Sequence, residues 1–202
     1  MNYEETFRNI IAEKVSRAGV EELLDHLANE TDFFTSPAST KYHGSYHGGL
    51  AEHSLNVYYC LIDELRFIYG NGWQDAWSEE SVVLVSLFHD LCKIGRYKSE
   101  IRNVKNPETG TWDTAEVFVY DNNYFRMGHA ARSVHELEKY VKLTDEEAQA
   151  IYWHMGAFDT SPYNTVGDLS EAYSSNTLAF ALHRADMMAT HVVENKKFVP
   201  LG

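Results

Sequence analysis

One stretch limits what this chain can become. Residues 81–94 read SVVLVSLFHDLCKI, apolar on nearly every side of a helix until the ionisable pair His89-Asp90. A helix that is apolar all round has to lie inside the molecule, so other elements must wrap it on several sides. Ser78 offers a hydroxyl for its N-cap, and Glu79 and Glu80 place negative charge in its first turn, where the helix dipole favours it. Two ionisable side chains at the core end of such a helix cost several kcal/mol unless partners meet them.

The elements available to wrap it are mostly helical. Residues 3–18 carry Phe7, Ile10, Ile11 and Val15 near helical spacing, and a short helix after Gly19 carries Leu23, Leu24 and Leu27. Residues 31–49 form an irregular stretch ended by a glycine pair. Residues 50–69 form a core helix stopped by Gly70-Asn71-Gly72. Residues 97–127 break the pattern: the turn signals Asn106-Pro107 and Thr109-Gly110 lie between segments of β composition, which predicts an inserted β-hairpin. Alternation puts Phe118 and Tyr120 on one face of that hairpin, either packed on the bundle or held as an aromatic lid. Gly128 begins a helix running to about Val141, and Thr144 to Glu147 make a capping box for a helix through His154. A polar loop over 156–169 leads to a last long helix over 174–193. The expected fold is all-α, a compact helical bundle with one β-hairpin. It forms a single domain over 1–202, with N-terminal helices and a loop over 1–42 and a core over 43–192.

Charge removes several classes of function. Lysine and arginine total 17 against 30 acidic residues, a formal charge of −13, and such a field repels a phosphate backbone. A long nucleic acid is therefore not an expected partner. Apolar residues at 44% leave no run near the roughly 20 needed to span a bilayer, and the first residues lack a signal-peptide pattern, so no membrane partner and a cytoplasmic location are expected. Cys60 and Cys92 have no CxxC spacing, which speaks against a disulfide scaffold and a zinc site built from thiolates.

Ten histidines remain to be placed. His26, His135 and His191 read as surface or packing residues, and His183, one turn before Asp186, as packing or as support for that carboxylate. His89-Asp90 and Asp186 each end a strongly apolar run. His53 lies on the apolar side of the 50–69 helix, His129 opens the helix after Gly128, and His154 closes the capping-box helix. Five helices thus each offer an imidazole or carboxylate toward the interior, which is how bundles build metal sites. Nitrogen and oxygen donors suit Fe, Mn, Zn, Co or Ni, and six ligands exceed the need of one open site, so two divalent ions are expected.

The ordered set His53, His89-Asp90, His129, His154, Asp186 resembles the HD-domain metal-dependent phosphohydrolase superfamily. So do the segments YHGGLAEHSLNV (46–57), FHDLCKIG (88–95), GHAARS (128–133), HMG (154–156) and LHRADMMA (182–189). Within it the likeness is to the HD module of bacterial 3′–5′ exoribonucleases and to the HD-GYP phosphodiesterases, over about residues 43 to 192. The resemblance implies that His53, His89, Asp90 and Asp186 hold one ion and that Asp90 bridges to a second held by His129 and His154. Met155 stands where trinuclear relatives carry a further histidine, and the glycine-tyrosine-proline segment is absent.

The expected chemistry is phosphate-ester hydrolysis, with a small phosphorylated molecule such as a nucleotide as substrate and a metal-activated water as nucleophile. Lys93 and Arg132 are the cations placed to hold the phosphate, and both also read as plain surface charges. His43, in the glycine-rich loop before the first ligand helix, could reach substrate or donate a proton; His47, closer to the helix, has no clear counterpart in the resemblance. Two alternatives use the same residues: a di-iron oxygenase and a non-catalytic nucleotide sensor.

Overall fold

The structure is a computed structural model that describes residues 2–105, 109–159, 161 and 163–195. Its centre is the apolar helix α4 (Glu79–Phe88), in which every residue from Val82 to Phe88 is buried. Ser78 caps it by accepting from the Ser81 N–H. Around it stand α1 (Tyr3–Lys14), α2 (Val20–Asn29) and the long α3 (Gly49–Tyr69) on the N-terminal side of the chain. On the C-terminal side are α5 (His129–Glu138), α6 (Asp145–Trp153), α7 (Val166–Ser175) and α8 (Thr177–Met188). Helix α3 packs on both α4 and α8, and α6 packs on α4 and α8, so four helices converge on one apolar cluster with Leu61, Leu84, Ile151 and Leu182 inside it. The all-α class with one β-hairpin is what the sequence predicts. Among the described residues no helix is long and apolar enough to cross a membrane.

Several boundaries differ from the sequence reading, each for a local reason. Helix α1 stops at Lys14 instead of 18. Val15 turns extended, which lets the Ser16 N–H reach Glu80 and Arg17 reach both Glu80 and Glu147. Helix α5 ends at Glu138, and the expected last turn to Val141 is a closing turn in which the Tyr140 and Val141 N–H groups both donate to the Leu137 carbonyl. The stretch 156–169 is only partly a loop. A 3-10 turn covers Gly156–Asp159, and α7 starts at Val166 behind a second capping box, Thr165 with Asp168. The single helix expected over 174–193 is broken at Asn176, whose extended backbone ends α7 and whose side chain accepts from Leu178 and Ala179 to start α8. A π-helical turn, Ala189–Val193, comes next.

The hairpin is present as β1 (Tyr97–Lys105) and β2 (Trp112–Tyr120), antiparallel with Tyr97 opposite Tyr120 and Lys105 opposite Trp112. Its Asn106-Pro107 turn signal lies outside the described residues. Its root is docked: Phe118 is buried against the His47 ring, whereas Ile101 midway along β1 and Trp112 near the tip are about 70% exposed (69% and 70%). Phe118 and Tyr120 have unequal surroundings, since Tyr120 is 57% exposed.

Candidate metal centre

Helix α4 delivers the pair at the centre. His89 takes its C-cap position, and at Asp90 the chain leaves the helix (φ −110°, ψ 21°) for a 3-10 turn over Leu91–Lys93. That exit turns the Asp90 carboxylate inward, 2% exposed. Four imidazoles from four different parts of the fold meet it. His129 at the start of α5 lies 2.9 Å away through Nε2, His89 3.5 Å, His53 from α3 3.7 Å and His154 after α6 3.8 Å. Asp186 of α8 joins on the far side, with Oδ1 at 3.2 Å from His53 Nε2.

The imidazole tautomers are set by their other nitrogens. His89 Nδ1 lies 2.7 Å from the Ser86 carbonyl and His154 Nδ1 2.6 Å from the Ile151 carbonyl. A carbonyl only accepts, so both Nδ1 atoms donate, and both Nε2 atoms are turned inward. Those two Nε2 atoms are buried with no hydrogen-bond partner. An unpartnered buried nitrogen costs free energy, and a metal ion is the partner that a lone pair of this kind fits. His53 is oriented through the same atom, its Nδ1 lying 2.9 Å from Glu194 Oε1, which Asn56 also holds, while its Nε2 faces Asp186. These residues form clusters of His, Asp and Glu able to coordinate divalent ions: His53, His89 and Asp90; His89, His154 and Asp186.

Electrostatics fit the same reading. Burial together with His89 and His129 lowers His154 to about 3, so its ring is neutral at ordinary pH and free to ligate. Burial opposes charge on Asp90, but Lys93 and the surrounding imidazoles outweigh it and hold the carboxyl well below its usual range. Burial would lower His53 as well; the carboxylates of Asp186 and Glu194 overcome it and raise the ring to about 9. In the absence of an ion, then, protons do the work of positive charge between these carboxylates.

The other residues singled out in the sequence divide. Lys93 is buried, with Nζ 2.6 Å from Asp90 Oδ2. His43 lies with its ring 4.8 Å from that of His53, and burial with His53 and Lys93 lowers it to about 4. It borders a cavity of about 840 Å³ whose wall includes Tyr46, Thr190 and Glu194. Arg132 is buried as well, but its guanidinium donates to the carbonyls of Ile94 and Phe125 and lies over the Tyr124 ring, 4.0 Å from its centroid. Those bonds tie the chain after the 3-10 turn to α5. His183 does not support Asp186: its Nδ1 lies 2.7 Å from the His154 carbonyl, and the ring stands so close to Gly156 that a Cβ there would come within 2.7 Å of it. Gly156 (φ +56°) is thus demanded by both backbone and neighbour.

Three residues at the centre were not found by sequence reasoning. Glu194 orients His53; Cys92 Sγ lies 3.3 Å from His129 Nδ1; and Arg96 Nη1 lies 3.2 Å from that same nitrogen, its guanidinium facing the Tyr120 and Tyr124 rings. Only Arg96 carried a signal, a cation three residues past Lys93. Compared with known proteins, the chain matches no protein-family model, and no curated protein or solved structure matches it significantly.

Proposed function

We propose that this chain is a metal-dependent phosphohydrolase acting on a small phosphate ester, a nucleotide being the substrate class best suited to it, in keeping with its resemblance to HD-domain enzymes. The observation that carries the reading is the Asp90 carboxylate ringed by four imidazoles, two of them with inward, unpartnered Nε2 atoms. His53, His89, Asp90 and Asp186 would hold one ion, and Asp90, His129 and His154 a second. Two ions held there supply a bound water with its pKa lowered toward neutrality and a clamp on a phosphoryl oxygen.

The protein's own groups do the rest. Lys93, fixed against Asp90, orients that carboxylate and sets a positive charge beside the substrate phosphate. Glu194 locks the His53 tautomer and so its aim. His43, neutral because of its burial, offers one N–H and one lone pair at the edge of the cavity, suited to hydrogen bonding a substrate group. Arg96, which has no carboxylate partner among the described residues, is a second cation for the phosphate.

The deciding experiment is metal content by plasma mass spectrometry on protein purified without chelator, wild type beside His129→Ala, followed by phosphate-ester assays with each metal added back. About two ions per chain, one or fewer in the variant, and phosphate release are the expected results. Two irons with a near-ultraviolet charge-transfer band and no phosphate release would replace hydrolysis by oxygen chemistry. Tight nucleotide binding without turnover under every metal would make the protein a sensor.

A further inference from the structure

We infer that Cys92 is a thiolate ligand of the second ion, completing a set with Asp90, His129 and His154. The inference rests on the two-ion reading above and adds to it a donor that the resemblance does not include. Cys92 occupies the middle of the 3-10 turn after Asp90, and its side chain is fully buried. Its backbone N–H donates to Ser133 Oγ of α5, which fixes the turn against the helix that carries His129.

The distances define a small triangle. Sγ lies 3.5 Å from His129 Nε2 and 3.9 Å from Asp90 Oδ1, and those two atoms are 2.9 Å apart. In place Sγ stands beside the His129 ring, 3.3 Å from Nδ1 as well, and a turn about the Cys92 Cα–Cβ bond is what would bring it onto an ion held by Nε2 and Asp90. Asp90, Cys92 and His129 accordingly form one of the clusters whose ligand atoms lie within 4.8 Å of one another. A second observation points to the same place independently. His154 Nε2, fully buried and unpartnered, lies 3.8 Å from the same Asp90 oxygen.

Such a donor set is selective. Two imidazoles, a carboxylate and a thiolate favour zinc, cobalt or ferrous iron over manganese or magnesium, because thiolate is a soft donor. Binding breaks the S–H bond and forms a metal–sulfur bond, and the thiol proton leaves to solvent. The lack of CxxC spacing concerned thiolate pairs; here a single thiolate joins donors brought from α5 and from the end of α6.

The test is X-ray absorption at the zinc edge of the wild-type protein loaded with two zinc ions, with cobalt-loaded wild type, Cys92→Ser and Cys60→Ser compared by absorption spectroscopy. We expect a sulfur shell at about 2.3 Å beside the nitrogen and oxygen shell. The thiolate-to-cobalt band in the near ultraviolet should persist in Cys60→Ser and vanish in Cys92→Ser. Affinity for the second ion should fall at least about tenfold in Cys92→Ser. Two zinc ions bound with only nitrogen and oxygen scattering would overturn the thiolate and leave the two-ion reading standing. No zinc bound at all would overturn both. The scattering measurement needs no variant, so a Cys92→Ser protein that failed to fold would not leave the question open.

Discussion

Asp90 could not be charged and alone at 2% exposure; Lys93 and the four imidazoles are what permit it. Removing it leaves the buried ammonium of Lys93 without its partner and takes away the carboxylate that the proposed function assigns to both ions. Asp90→Ala is therefore expected to lose both metals, read by plasma mass spectrometry. The metal-free variant should also be less stable than the metal-free wild type by about 3–5 kcal/mol in urea titration, the cost of stranding a buried charge. Glu194 acts one bond further out. Glu194→Ala frees His53 Nδ1 and should weaken metal affinity about 10–100-fold with little change in fold, measured by competition with a chromophoric chelator. These residues were unequally visible in the sequence. His53, His89, Asp90, His129, His154 and Asp186 lie at helix ends or on apolar faces, where an ionisable group is conspicuous. Glu194 comes after the π-helical turn and lies 141 positions from His53, and no periodicity links such a pair. Cys92 was set aside for want of CxxC spacing, because only the fold brings His129 beside it. Arg132, one turn after His129 and so expected near phosphate, was diverted by the Ile94 and Phe125 carbonyls, which spacing cannot reveal.

Elements were legible wherever capping chemistry and period agreed. Ser78 and the Thr144 capping box marked α4 and α6 correctly, and the Gly70-Asn71-Gly72 stop ended α3. The break at Asn176 was missed because the apolar period runs through it; only the side chain's double acceptance from Leu178 and Ala179 makes it a cap. The hairpin shows how one element can be both packing and periphery. Gly95, just before β1, donates to Asp32, and the Tyr97 hydroxyl reaches the Ala38 carbonyl, so the root is tied to the loop before α3. Phe118 is the apolar pin, seated edge-on against His47. Phe118→Ala should release the hairpin as a unit. Amide exchange in 97–120 is expected to accelerate strongly, tracked by mass spectrometry, while α4 keeps the protection of the global core. Equal acceleration in α4 would mean that the hairpin is part of the cooperative core.

Across the whole molecule, charged groups hold distant parts of the chain together. Arg17, in the link between α1 and α2, bonds Glu80 at the start of α4 and the buried Glu147 of α6. Burial raises Glu80, but the Ser16 N–H and Arg17 outweigh it and hold the carboxyl below its ordinary value. A depressed carboxyl stabilises the fold above its unfolded value of about 4.3, and that stability is lost as pH falls through the folded one. Arg17→Ala should thus cost about 3 kcal/mol at pH 7 in urea titration, and the gap to wild type should narrow below about pH 4.

The candidate metal centre works on the same scale, because its potential donors come from α3, the end of α4, α5, the end of α6 and α8. Each ion of the proposed pair would join three elements, the two together five, and the unfolded chain has no such constellation. It also brings positive charge into a molecule of net charge −13, whose carboxylates otherwise rely on protonated imidazoles. Ligand linkage sizes the effect: at a hundred times the dissociation constant each ion contributes about 2.7 kcal/mol. For a chain of this length each kcal/mol moves the melting temperature by about 2–4 °C. Exhaustive chelation should therefore lower the melting temperature by roughly 10–20 °C, restored by zinc, cobalt or iron in calorimetry. The His129→Ala protein, with one ion remaining, should show about half that span. A melting temperature indifferent to chelator and to every added metal would show that the imidazoles are paired by protons alone, and that Asp90 organises a structural core instead of a reactive centre.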